Sequence, residues 1–166
     1  IGDHAISQDY GGYNTGVGYN VMRQTDSTYW CTALGFEAMY GNISFSATGD
    51  YNTAVGVYSL RSISSGHKNC AVGSNSLLSN TTGSNNVAIG DNALSGNISG
   101  LGNVAIGSSA LVHNQGGELN VAVGNGALGY SVNGYNTAVG AAALNGSGNI
   151  GNENTALGFS ALSKNT

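Results

Sequence analysis

The 166-residue chain contains no proline. Proline would remove backbone donors from a hydrogen-bonded ladder, so its absence leaves every amide free to pair. Charge is scarce as well: 7% of residues are charged, against roughly a quarter in an average soluble domain. The net charge is −4 with no basic cluster, so the chain lacks the electrostatic footprint of a nucleic-acid binder. No apolar run approaches a membrane span, and no signal peptide opens the chain. A sequence that starts at Ile1 rather than Met reads as a fragment, which leaves export signals or anchors to the rest of the protein. There are only two cysteines, Cys31 and Cys70. They fall two coils apart and at different motif positions, a separation of roughly 10 Å that exceeds disulfide reach. Two isolated thiols make no zinc site, so they read as small apolar residues of a packed interior.

Glycine, by contrast, is abundant, with 28 residues, and it is periodic. The stretch Asn103-Val104-Ala105-Ile106-Gly107, followed by Ala110-Leu111, recurs along almost the whole chain. Asn86 to Gly90, Asn120 to Gly124, Asn136 to Gly140 and Asn154 to Gly158 repeat it closely, as do Asn69 to Gly73 and Asn52 to Gly56. Cys31 to Gly35 and Asn14 to Gly18 keep it more loosely, and Ile1-Gly2 reads as the tail of one more copy. Most steps between motif glycines are 16 to 18 residues; the step from Gly35 to Gly56 is 21. A fixed period of this kind predicts a solenoid whose length grows with copy number. We read one repeat domain over 1–166, with aromatic-rich, irregular first coils over 1–60 and regular coils over 61–166.

Within each motif the second and fourth residues are branched or polar, while the third and fifth are Ala or Gly, which is the period-two alternation of a strand. The period is too short for a helix and a strand with their turns. It fits two short strands and two turns per coil: an all-β, parallel β-roll (β-solenoid) of about ten coils, roughly 45–50 Å long at strand spacing. Only Ala and Gly fit between the closely spaced walls of a narrow coil, which sends the branched residues outward. The opposite packing, with branched residues inside, is the alternative. The outward stripe Val55, Val72, Ile89, Ile106, Val123, Val139 and Leu157 would then need a cover, since burying each such side chain is worth about 1.5–3 kcal/mol. It is expected to meet copies of itself on a shared axis. The leading Asn is expected either to form a ladder of side-chain amides or to serve simply as a turn former.

These motifs resemble the Asn-Ser-Val-Ala-Ile-Gly-x-x-Ser repeat of YadA-like heads of trimeric autotransporter adhesins, and related repeats of tail fibres and other virion or cell-surface fibres. The resemblance spans the ten copies from Ile1 to about Leu162. It implies a left-handed β-roll, a homotrimer wound around one axis, and attachment to a host or partner cell, on a bacterial surface or a virion fibre. It brings no catalytic residues and no cofactor. The period near 17, the Leu after Ala and the frequent Thr at the second position depart from the family pattern, so family-specific ligands do not carry over. A self-assembling extracellular filament or coat without receptor binding is the competing function.

Ten of the 13 aromatics lie before residue 60, together with the longest coil. That region is either a cap or junction, or a surface for a host glycan or protein centred on Trp30, Phe36, Tyr40 and Phe45, with residues 40–46 as a protruding loop. The acidic residues are scattered; Asp26 with Glu37, or Glu37 with Asp50, could meet on adjacent coils, but chance explains such pairs better than a glycosidase dyad. We therefore expect no enzyme, no metal and no cofactor. His4, His67 and His113 read as exposed turn residues. Four sequons, at Asn42, Asn80, Asn97 and Asn145, are expected by chance in an Asn/Ser-rich chain. Ice binding would need an unbroken threonine array, and the motif threonines are interrupted by Cys70, Val87, Val104 and Val121.

Overall fold

The computed structural model describes residues 1–6, 11–25, 27–41, 47–130, 133–146 and 151–164. Nine three-residue strands follow one another: β1 Thr15–Val17, β2 Thr32–Leu34, β3 Thr53–Val55, β4 Cys70–Val72, β5 Val87–Ile89, β6 Val104–Ile106, β7 Val121–Val123, β8 Thr137–Val139 and β9 Thr155–Leu157. They form one parallel sheet in sequence order. Motif position pairs with motif position throughout, for example Val87 with Val104, Ala88 with Ala105 and Ile89 with Ile106. The chain is a parallel β-solenoid, and the described residues contain no helix.

The nine strands bound eight full turns rather than ten coils, which places the outer strands about 38 Å apart at a spacing near 4.8 Å. The Ile1–Gly2 copy hydrogen-bonds onto the first coil, with the Gly18 N–H donating to the Ile1 carbonyl at 2.8 Å. It holds only the last two residues of a motif and forms no strand.

The expected second strand of each coil is also replaced. After the motif glycine the chain runs through overlapping tight turns: in one coil the N–H groups of Ala93, Ser95 and Asn97 donate three residues back, at 3.3, 3.3 and 3.1 Å. Alternate residues there are left-handed, Asn92 at φ 56° and Leu94 at 51°. Their amides consequently point along the axis, Asn92 donating to the Ser74 carbonyl and Leu94 to the Ala110 carbonyl, both at 2.9 Å. A left-handed leucine costs of order 1 kcal/mol. Here the conformation turns the Leu side chain into the core: Leu60, Leu77, Leu94, Leu111, Leu128 and Leu144 are all fully buried. Burying each offsets that strain with something to spare.

The opposite wall of the core is the alanine column Ala33, Ala54, Ala71, Ala88, Ala105, Ala122 and Ala138, with at most 1% exposure. This settles the packing alternative: small residues point inward and branched ones outward. The motif glycine has two reasons to be glycine. Gly107 sits at φ 130°, and a Cβ there would lie 2.6 Å from the Gly124 carbonyl. The coils approach too closely for any side chain at that corner.

Asparagine closes the other corner. The Asn86 side chain accepts from the backbone N–H and the side-chain amide of Asn103 at 2.9 and 3.1 Å, and its own amide donates to Asn69 at 3.2 Å and to the Gly100 carbonyl at 2.8 Å. The backbone link runs unbroken from Asn52 to Asn154, and the side-chain link accompanies it at every step except Asn120 to Asn136, where the Asn136 side-chain amide donates to the Gly134 carbonyl instead. The ladder reading is thus correct, and simple turn propensity does not account for a fully buried, multiply bonded amide. Cys31 occupies one rung: its amide donates to Asn14 Oδ1 at 2.9 Å, and its sulfur accepts from the Asn52 N–H at 3.4 Å. It is buried, as expected of both cysteines, but Cys70 lies half-buried on the outer strand face; neither forms a disulfide. A second ladder, Asn80–Asn97–Asn114, joins through side-chain bonds of 2.7 and 2.9 Å. Two of the sequon asparagines, Asn80 and Asn97, are therefore completely buried and structural; Asn42 lies outside the described residues.

Candidate interaction surface

Each coil presents four positions along one outer face: two within the strand and one more two residues beyond each of its ends. In the first coil these are Tyr13, Thr15, Val17 and Tyr19; in the second Trp30, Thr32, Leu34 and Phe36; in the sixth Gly102, Val104, Ile106 and Ser108. The stripe residues Val55, Val72, Ile89, Ile106, Val123, Val139 and Leu157 stack in unbroken register down the middle. They are half-buried to exposed in the single chain, Ile89 at 40% and Ile106 at 38%. Only three charged residues, Lys68, Asp91 and Glu153, fall on the four positions of this face.

The aromatics of the first coils line its two edges. Before the strands, Tyr13, Trp30 and Tyr51 form a continuous stack, with centroids 5.7 and 5.0 Å apart and planes within 7°. The residue at this corner is left-handed in each coil, Trp30 at φ 54° and Tyr51 at 58°, and the coil repeat superposes the rings. After the strands, Tyr19 stacks on Phe36 at 5.4 Å, and Phe36 meets the Tyr58 ring edge-on at 5.5 Å. Around that corner Arg61 lies 5.3 Å from the Tyr40 ring and 5.5 Å from Tyr58, and its Nε donates to Glu37 at 2.7 Å. A hollow of about 320 Å³ lined by Tyr58, Arg61, Asn75 and Leu78 adjoins this group.

The predicted ligand residues thus do not converge on one patch. Trp30 and Phe36 occupy opposite edges of a strand face, six residues apart, or roughly 15–20 Å. Tyr40 joins Phe36 only through Arg61 and Tyr58, and Phe45, with the rest of the expected loop at 42–46, lies outside the described residues. Arg61 and Tyr58 were not anticipated; reading the repeat register beyond the motif, which sets Tyr40 against Arg61 one coil on, would have found them. Of the carboxylates considered as pairs, Glu37 is engaged by Arg61 and Asp50 accepts the Tyr29 amide at 2.9 Å, while Asp26 is outside the described residues. Among the described residues no group of three His, Cys, Asp or Glu could hold a metal, and no helix is long and apolar enough to cross a membrane. His4, His67 and His113 are exposed.

Comparison with protein-family models, with curated proteins and with solved structures gave no match.

Proposed function

We propose that this chain is a segment of a trimeric extracellular fibre, on a bacterial surface or a virion, that serves attachment to a host or partner cell. The coils wind left-handed, three copies share one axis, and the branched stripe of each faces that axis. One observation carries this reading: an outward row of branched aliphatic residues, half-buried to exposed, one per coil and in register, runs the length of a solenoid whose core is already closed by Ala, Leu and Asn. Such a row points away from its own coil's core. Placed in water it is an uncovered apolar patch, and placed against its own copies it is a seam. The YadA-like character of the repeat supports the number three. The regular coils act as shaft, and the aromatic first sixty residues, on the Tyr40–Tyr58–Arg61 side, offer the surface for a host glycan or protein. No catalysis is assigned.

Ile106→Asp tests the seam. It brings carboxylates together on an apolar axis, so the variant should sediment as a monomer or fail to fold, while the parent chain sediments as a trimer. An unchanged trimer would refute the assignment. Attachment is tested separately: Tyr40→Ala with residues 42–46 deleted should remain trimeric and lose adsorption to target cells. A parent trimer that adsorbs to no cell surface but grows into filaments would favour the coat or filament function instead.

A further inference from the structure

The edges of the strand face show how the copies meet, an inference that rests on the self-association proposed above. In any assembly whose symmetry axis runs parallel to the solenoid, the edge before the strands of one copy meets the edge after the strands of the next, coil by coil. That arrangement sets Tyr13 against the Tyr19 row and Trp30 against the Phe36 row. It also sets Asn85 against Asp91 of the neighbouring copy, with Lys68 on the next coil, offset from that carboxylate by about 4.8 Å along the axis. Within one chain Lys68 and Asp91 lie at opposite edges, roughly 20 Å apart by strand length, and neither is ion-paired in the structure. Inverting one copy about the central coil would instead bring like edges together and place Asp91 beside its own counterpart.

The ring geometry points the same way. Trp30 is sandwiched between Tyr13 and Tyr51, so both of its faces are taken and only its edge reaches outward. A sugar needs a free ring face; a facing protein wall needs only apolar edges. Yet Trp30 remains 50% exposed and Tyr13 82% exposed in the single chain.

We propose that the two edges of the strand face, the Tyr13–Trp30–Tyr51 stack with Lys68 on one side and the Tyr19–Phe36 stack with Asp91 on the other, join neighbouring copies of this chain in a parallel, in-register assembly. The aromatic stacks are then part of the self-association seam rather than a glycan platform, and the Lys68–Asp91 contact selects parallel over inverted pairing.

Charge reversal tests this. Lys68→Asp and Asp91→Lys each place like charges across the seam and should weaken association about tenfold at low salt, and the double reversal should restore it. Both residues are exposed, so circular dichroism should show the fold unchanged. Trp30 is the only tryptophan, and its emission should shift to the red as the parent assembly is diluted apart. Oxidation with copper-phenanthroline should link Cys70 to Cys70 of a neighbouring copy, because in-register pairing brings the fourth coils of two chains together, whereas inversion about the central coil sets the fourth coil against the sixth. A parent chain that stays monomeric at every concentration would remove the self-association reading itself. A parent that associates, but whose reversals weaken nothing or are not restored in combination, or whose Cys70 does not cross-link, would overturn the parallel edge pairing. An associating parent with unshifted Trp30 emission would remove the aromatic stacks from the seam.

Discussion

The first sixty residues and the regular coils after them share one backbone and differ almost entirely on its outside. Coil two carries Trp30, Thr32, Leu34 and Phe36 on its outer face; coil six carries Gly102, Val104, Ile106 and Ser108. Inside, the two are nearly interchangeable, with Ala33 answering Ala105 and Met39 answering Leu111, all buried. Even the exchange of Asn for Cys31 preserves the rung, because sulfur accepts the next amide. Stacking therefore dictates the inner positions coil by coil. The outer positions are free to vary, and that is where the two regions differ.

The sharpest way to break this equivalence is to act where coils touch. Gly107→Val adds a Cβ that would lie 2.6 Å from the Gly124 carbonyl at a φ that branched residues do not adopt. It should cost more than about 4 kcal/mol or abolish folding. Gly35→Val, in the aromatic region, should do the same. A clearly smaller loss at Gly35 in thermal unfolding would show that the first coils are wound more loosely.

The asparagine ladder should respond less. Asn103→Ala removes the acceptor for the backbone and side-chain amides of Asn120, bonded at 3.0 and 3.1 Å, and strands Asn86 Oδ1 of its side-chain donor. A loss of about 2–4 kcal/mol in urea unfolding is expected. The reverse experiment lies in the first region: Cys31→Asn should insert a true rung and raise stability by about 1 kcal/mol. A destabilised Cys31→Asn variant would mean that this coil has adapted its spacing to sulfur.

The smallest effect belongs to the outside. Arg61→Ala removes two cation–π contacts and a partly exposed ion pair, and should cost under about 1 kcal/mol. A larger loss in thermal unfolding would make the Tyr40–Arg61–Tyr58 group a structural clasp for the long coil rather than a surface available to a partner.

Much of the fold was legible because repetition amplifies weak local signals. One Asn-x-Ala-x-Gly proves little, but the same pattern at near-constant spacing fixes the strand, its register and its alternation. The second strand was misread because the segment after the glycine has strand length and a buried leucine. Its left-handed residues are not glycines, so no residue type signals them. The second ladder was hidden for a similar reason, since asparagine in Asn80-Thr81-Thr82-Gly83 looks like an ordinary turn former until the next coil stacks on it.

By itself the sequence determined the repeat, the parallel stacking and the alternation of a small with a branched face, and it favoured the small face as the inner wall, because each follows from period, alternation and side-chain size; the burial of the alanine column then decided the direction. Only the tertiary structure decided that each coil has one strand rather than two, and that nine strands bound eight turns. It also showed that Trp30 is sandwiched with both faces covered and that Tyr40 belongs with Arg61. Those outcomes depend on how one coil lies upon the next. That contact is set by distances of a few ångströms between residues some 17 positions apart, which no local pattern encodes.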